Sequence, residues 1–128
     1  MMELLGIKTG LRLRTSNPIE RALAYAGGSH TLADIEAAVA TGQMQAWNGD
    51  ESAIITEIRR TPQQLILLFF LAGGQMTELR AMAPPIMDWG RSLGCVKAQL
   101  LGRKGWARSP IVTDGWKEAG TLMEVSLG

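Results

Sequence analysis

The sequence predicts an α+β domain built on a mixed, mostly antiparallel sheet, and three stretches carry that prediction. Gln64 to Val96 reads as one βαβ-type unit: an apolar run from Leu65 to Ala72, the pair Gly73-Gly74, an amphipathic helical pattern, then Leu93-Gly94-Cys95-Val96. Met44 to Leu71 reads as an antiparallel meander of three strands. Asn17 to Gly42 carries two successive helix signatures ahead of that meander. A chain of 128 residues fits one domain, 1–128, large enough to bury a core and too small for two ordinary ones.

In chain order, Leu11-Arg12-Leu13-Arg14-Thr15 alternates apolar and basic residues and predicts a first strand. Asn17-Pro18-Ile19-Glu20 places an N-cap residue, a proline and an early glutamate at a helix start, so a helix is expected to about Ala26. Gly27-Gly28 stops it. Thr31-Leu32-Ala33-Asp34 starts a second helix with Ile35, Ala38 and Val39 on one side, and Gly42 ends it. Met44 to Trp47 is a short strand, Asn48-Gly49-Asp50 a turn, and Ser52 to Arg60 a second strand ahead of the central Leu65 to Leu71. The next helix sets Leu79, Ala83, Ile86, Gly90 and Leu93 on one face, with Pro84-Pro85 predicting a kink or break near Met82. Cys95 to Leu101 is a strand, Gly102 to Trp106 a turn or short helix, and Leu122 to Leu127 a last strand in which Met123, Val125 and Leu127 share a face.

Composition excludes several function classes. A formal net charge of +1 predicts no strong field for nucleic acid or an anionic membrane. The longest apolar run is about half the ~18 residues that span a bilayer, and the start of the chain lacks a signal-peptide pattern, so an intracellular site of synthesis is expected. One cysteine, Cys95, and one histidine, His30, make neither a disulfide nor a zinc cage.

The order strand, helix, helix, three strands, helix, strand, short helix, terminal strand resembles the GNAT superfamily of acetyl-CoA-dependent N-acetyltransferases, from about Leu11 onward. Trp89-Gly90-Arg91-Ser92-Leu93-Gly94-Cys95 is similar to the end of that family's central helix entering its next strand. Leu101-Gly102-Arg103-Lys104-Gly105-Trp106-Ala107-Arg108 and Gly115-Trp116 resemble small phage-encoded GNAT-like proteins. The resemblance implies a mostly antiparallel central sheet with helices on both faces, and in the phage group an association with virions or their assembly. It also implies host cytoplasm or virion as location, and protein partners, virion proteins included, met through Arg103, Trp106, Arg108 and Trp116; self-association is compatible with it.

In the family, Gln or Arg, two residues, Gly, one residue and Gly or Ala open the central helix and hold the pyrophosphate of acetyl-CoA, because glycine lets backbone amides approach closely at a helix N-terminus. Carried onto this chain, the resemblance makes Gly73, Gly74, Gln75, Met76 and Thr77 the cofactor-binding residues if acetyl-CoA is bound. Aligned from Gln75, however, the two small positions hold Glu78 and Arg80; aligned from Gly74, they hold Thr77 and Leu79. Neither register restores the loop. A Glu78 carboxylate turned inward would face the anion, at about 1 kcal/mol of repulsion in bulk water and about 4 kcal/mol at an effective dielectric near 20 for a ~4 Å separation. Turned outward, it would simply favour the helix N-terminus.

The family's general base is commonly a glutamate on the middle strands, and Glu57 is the matching candidate. Its general acid is a late tyrosine, but Tyr25 lies in the first helix and the late segment offers Trp106, an indole that cannot donate a proton as an acid. The two expectations are therefore a catalytically degenerate GNAT-like protein of a phage virion or its assembly, without cofactor, and an acetyl-CoA-dependent N-acetyltransferase with a divergent loop. Gly73-Gly74 also reads as a plain tight turn, Glu57 as a solvated strand residue, Cys95 as a small buried side chain and the Arg103 to Arg108 segment as a solvated turn. Two or more of Trp47, Trp89, Trp106 and Trp116 belong to the core on this reading, with Trp106 or Trp116 the better partner-surface candidate.

Overall fold

The strands are laid side by side in the order in which the chain makes them. The computed structural model describes residues 3–4, 7–10, 17–24, 28–102, 106 and 108–128. Among the described residues six strands form one sheet: β1 (Glu3–Leu4), β2 (Ile7–Gly10), β3 (Gln45–Asn48), β4 (Ala53–Arg60), β5 (Leu65–Gly73) and β6 (Cys95–Leu100). Each pair from β1 to β5 is antiparallel, and β5 with β6 is parallel. A parallel pair cannot be joined by a tight turn, so the helix α3 (Met76–Ser92) carries the chain back between β5 and β6. Two helices, α1 (Asn17–Leu23) and α2 (Leu32–Thr41), separate β2 from β3.

One extra residue in β5 decides which side chains meet which helices. Ile55 pairs with Leu71 and Thr56 with Phe69, so Phe70 is a β-bulge. Alternation along the strand points Leu67 and Phe69 to one face, and the bulge shifts the phase so that Leu71 points to the other. Two apolar layers result. Trp47, Ile54, Leu67 and Phe69 pack against Leu79, Met82 and Ile86 of α3. Ala46, Ala53, Ile55 and Leu71 pack against Ile19 of α1 and Ile35 and Val39 of α2. The expected α+β architecture with helices on both faces is what forms.

Local chemistry explains the helix ends. The Thr31 hydroxyl accepts from the Asp34 amide at 3.2 Å and the Asp34 carboxylate accepts from the Thr31 amide at 2.8 Å, a reciprocal capping box. These hydrogen bonds hold the Asp34 carboxyl below its ordinary range. Gly42 closes α2 in the left-handed region at φ 84°. Trp47 lies under α3, its Nε1 donating to Thr56 Oγ1 at 2.9 Å while that hydroxyl donates to Gln45 Oε1 at 2.8 Å. The Trp89 ring meets it edge-on at 5.1 Å.

Several expectations need correction. The strand expected at Leu11 to Thr15 lies outside the described residues, and the pairs that do form, β1 and β2, carried no recognised signal. Helix α1 ends at Leu23, short of Ala26. Helix α3 does not break near Met82: it is one helix over Met76–Ser92 with Pro84 and Pro85 inside it, and Leu79, Met82, Pro85, Ile86 and Gly90 along that span are buried. Leu93 caps that helix and is 48% exposed instead of facing the sheet. No strand forms over residues 122–127, which extend from the body exposed.

Gly90 shows how close α3 sits: a Cβ there would stand 2.9 Å from Leu67 Cδ2. Among the described residues no helix is long and apolar enough to cross a membrane. Ile86, fully buried between α3 and the sheet, should lose about 3 kcal/mol of stability on substitution by alanine. Urea denaturation of Ile86→Ala, with an unchanged slope and a lower midpoint, checks it.

Candidate functional site

Parallel strands place their carboxyl ends at the start of the helix that follows, and a ligand cleft opens where neighbouring strands part. Here β6 accompanies β5 only as far as the pair Phe69 and Leu100, while β5 continues to Gly73. The residues singled out for a diphosphate follow in order: Gly73 ends β5, Gly74 makes the turn, Gln75 caps α3, and Met76 and Thr77 open it. Gly74, Gln75 and Thr77 are exposed; Gly73 and Met76 are half-buried.

Both glycines are required by packing within the chain. A Cβ at Gly73 would lie 2.1 Å from the Pro18 carbonyl oxygen, so the turn is pressed against the first turn of α1. Gly74 has φ 127° and a Cβ there would lie 2.3 Å from Ser52 Oγ. That same hydroxyl accepts the Gln75 amide at 2.9 Å. An amide that would lead an anion-binding turn is already satisfied by the β3 to β4 connection.

The bulky residues at the two small positions also have partners. Glu78 turns away from the turn: its carboxylate accepts the Asp50 amide at 2.7 Å and the Glu51 amide at 3.0 Å, and lies where a side chain on Gly49 would be. The repulsion expected from an inward carboxylate therefore does not arise. Arg80, on the opposite flank, makes a bidentate pair with Asp114, Nε and Nη2 each 2.8 Å from a carboxylate oxygen, and Nη2 also donates to Thr113 Oγ1 at 3.2 Å. The pair holds Asp114 below and Arg80 above their ordinary ranges, the Arg80–Asp114 hydrogen bond being the main cause for both. It fastens a 3₁₀ segment, Pro110–Asp114, to the start of α3.

Two indoles lie next to where the strands part. Trp116 meets Phe69 edge-on at 5.6 Å, and Trp106 lies against Gly102, 2.5 Å from where a Cβ would be. Both are half-buried and pack against the α3 core. Arg108 is exposed, whereas Arg103, Lys104 and Tyr25 lie outside the described residues.

Glu57 is not brought to this turn. It lies on β4 opposite Leu68, five residues of β5 short of Gly73, or about 16 Å along the strand. Its register, between Thr56 and Ile58 of the α3 layer, directs it to the α1 and α2 face. There it borders an open depression of about 630 Å³ with Met44, Arg60, Leu65 and Leu93, at the far end of the sheet. Cys95 is buried, and burial pushes its thiol up, as expected for a small core residue. The roles of Ser52, Asp114 and Gly49 were missed because each depends on a contact between segments distant in sequence.

Acetyl-CoA, which the resemblance implies, does not fit these residues as it fits a glycine loop: the Gln75 amide is engaged by Ser52, and residues with side chains, Glu78 and Arg80, occupy the positions where glycines would admit the phosphates.

No family model and no curated protein matches the chain. Solved structures do. A tetramutant of the BH1408 protein from Bacillus halodurans is similar at a TM-score of 0.71 and 10% identity, covering 94% of this chain and 99% of that one. An acetyltransferase of Trypanosoma brucei is similar at 0.51 and 14%, with the same coverage. An integron cassette protein from the mobile metagenome of Cole Harbour Salt Marsh is similar at 0.50 and 13%, covering 96% of this chain and 91% of that one. At these identities the likeness is one of fold, and the fold is GNAT-like.

Gly74→Ala should lower stability by about 2 kcal/mol or more, since it combines a left-handed backbone position with a collision against Ser52; a shifted denaturation midpoint reads this out. Because the folded-state value of Asp114 is depressed, its contribution is fully present above its ordinary value of 3.8 and is lost as pH falls through the lowered one. Asp114→Asn should therefore flatten the acid limb of thermal stability, measured between pH 6 and pH 2, relative to the unsubstituted protein.

Proposed function

We propose that this chain is a GNAT-fold protein without acetyl-transfer activity, a protein-binding component that serves in a phage particle or its assembly. One observation carries the catalytic part: the two positions that the family keeps small for a diphosphate hold Glu78 and Arg80, and both side chains tie the framework together on either flank of the helix start. A helix start whose Glu78 and Arg80 side chains and leading amide are engaged within the chain keeps the fold and gives up the cofactor. The phage part rests on the resemblance of Leu101 to Arg108 and of Gly115-Trp116 to small phage proteins. On this reading the chain works in the host cytoplasm or in the virion, and its partners are virion proteins met through the region of Arg103, Trp106, Arg108 and Trp116, with the exposed Arg108 at its rim.

A second reading, an acetyl-CoA-dependent N-acetyltransferase with a divergent pyrophosphate loop, is favoured by a different observation. Gln75 gives no side-chain hydrogen bond to the first turn of α3, and β6 stops pairing with β5 below that turn. Residues 73–77 would then be the cofactor contacts and Glu57 the base.

Isothermal calorimetry with acetyl-CoA and with CoA at millimolar concentration separates the two readings. The expected result is no saturable heat; saturable binding accompanied by acetylation of an amine establishes the second. Mass spectrometry of purified particles from a phage carrying the gene should detect the chain, and its absence from particles and assembly intermediates alike would remove the virion role.

A further inference from the structure

The last strand that the sequence predicts has no place in the sheet of its own chain, and the sheet ends in an edge that matches it. Thr121-Leu122-Met123-Glu124-Val125-Ser126-Leu127 is a seven-residue β pattern without proline or glycine, apolar at Met123, Val125 and Leu127 and polar at Glu124 and Ser126. The segment leaves the body after Trp116, which is anchored on Phe69. Beyond that anchor Leu122, Met123, Val125 and Leu127 are 74%, 87%, 82% and 100% exposed. So many large apolar side chains exposed along one short segment signal an association site.

At the sheet's end, β6 pairs among the described residues with β5 alone, and its other side is the edge of the sheet. The faces of β6 alternate as those of the tail do. Ala98 and Leu100 face the α3 core, whereas the intervening Lys97 and Gln99 lie on the side away from it. A strand added there with Met123, Val125 and Leu127 beside Ala98 and Leu100 extends the apolar layer. It also sets Glu124 on the face that carries Lys97, opposite charges on neighbouring strands.

We propose that residues 121–127 of one copy add as a further strand to the β6 edge of a second copy, and that the exchange is reciprocal. A two-fold arrangement uses both tails and both edges, so it closes as a dimer and leaves no edge to propagate. The contact is β-strand addition: backbone hydrogen bonds supply affinity, and the alternating side chains and the Lys97 to Glu124 charge match set register.

Sedimentation equilibrium of the full chain over a concentration series, with backbone hydrogen exchange of residues 121–127, tests it. The expected result is a monomer-dimer equilibrium in which those amides slow as the dimer forms. Met123→Glu with Val125→Glu should leave a folded monomer, since the tail makes no contact that the body needs. Lys97→Glu or Glu124→Lys alone should weaken dimerisation roughly fivefold, each pair occurring twice, and the two together should restore it. A monomer at every concentration overturns the proposal, whether the tail amides are slow, as they would be on the chain's own β6, or fast. A dimer indifferent to the tail and charge substitutions overturns it too.

Discussion

The close approach of backbone to backbone at the β5 to α3 turn is the constraint on which the top of this molecule depends. Gly73 lies against the Pro18 carbonyl and Gly74 against Ser52, so one short turn is gripped by the start of α1 on one side and the β3 to β4 connection on the other. Neither contact leaves room for a side chain. Once the turn is held, the direction of α3 is set, and Glu78 and Arg80 emerge on opposite flanks of its first turns, toward the Asp50–Glu51 amides and toward Asp114. The Phe70 bulge works with this grip by turning Leu71 to the α1 and α2 layer just below the turn.

These contacts give the junction a structural explanation that phosphate recognition had seemed to require. Glycine pairs at strand-helix junctions serve close approach, and the approaching group can be a ligand or the protein itself. Here it is the protein. Beside it, Trp106 and Trp116 pack next to the parting strands and connect the late segment to the α3 core. A GNAT-like sheet thus carries a helix start at which Glu78 and Arg80 are committed to internal contacts.

The sheet has a protected interior and, at β6, an edge. Strand β6 is covered on its α3 side by Ala98 and Leu100 but leaves Lys97 and Val96 exposed, while the C-terminal segment displays apolar side chains with nothing of its own to cover them. Edge and tail share one physical origin: β structure is completed by a neighbour, and a pattern that lacks a neighbour in its own chain remains a surface property.

By itself the sequence determined the elements whose signals are local. The Thr31 and Asp34 box and Gly42 bound α2, the apolar run built β5, and the pattern from Gln64 to Val96 specified the parallel crossover. Glu78 and Arg80, standing where the resembled loop has small residues, were also legible along the chain. Tertiary structure alone decided the rest. That Ser52 meets the Gln75 amide, that Glu78 turns outward, that Arg80 finds Asp114, that α3 runs unbroken through Pro84-Pro85 and that residues 122–127 join no strand are outcomes of contacts between distant segments. Capping and periodicity act over a few residues and can be read along the chain. The partner of a side chain, and the orientation that follows from it, exists only once the sheet has brought residues 23 to 34 positions apart within hydrogen-bond distance.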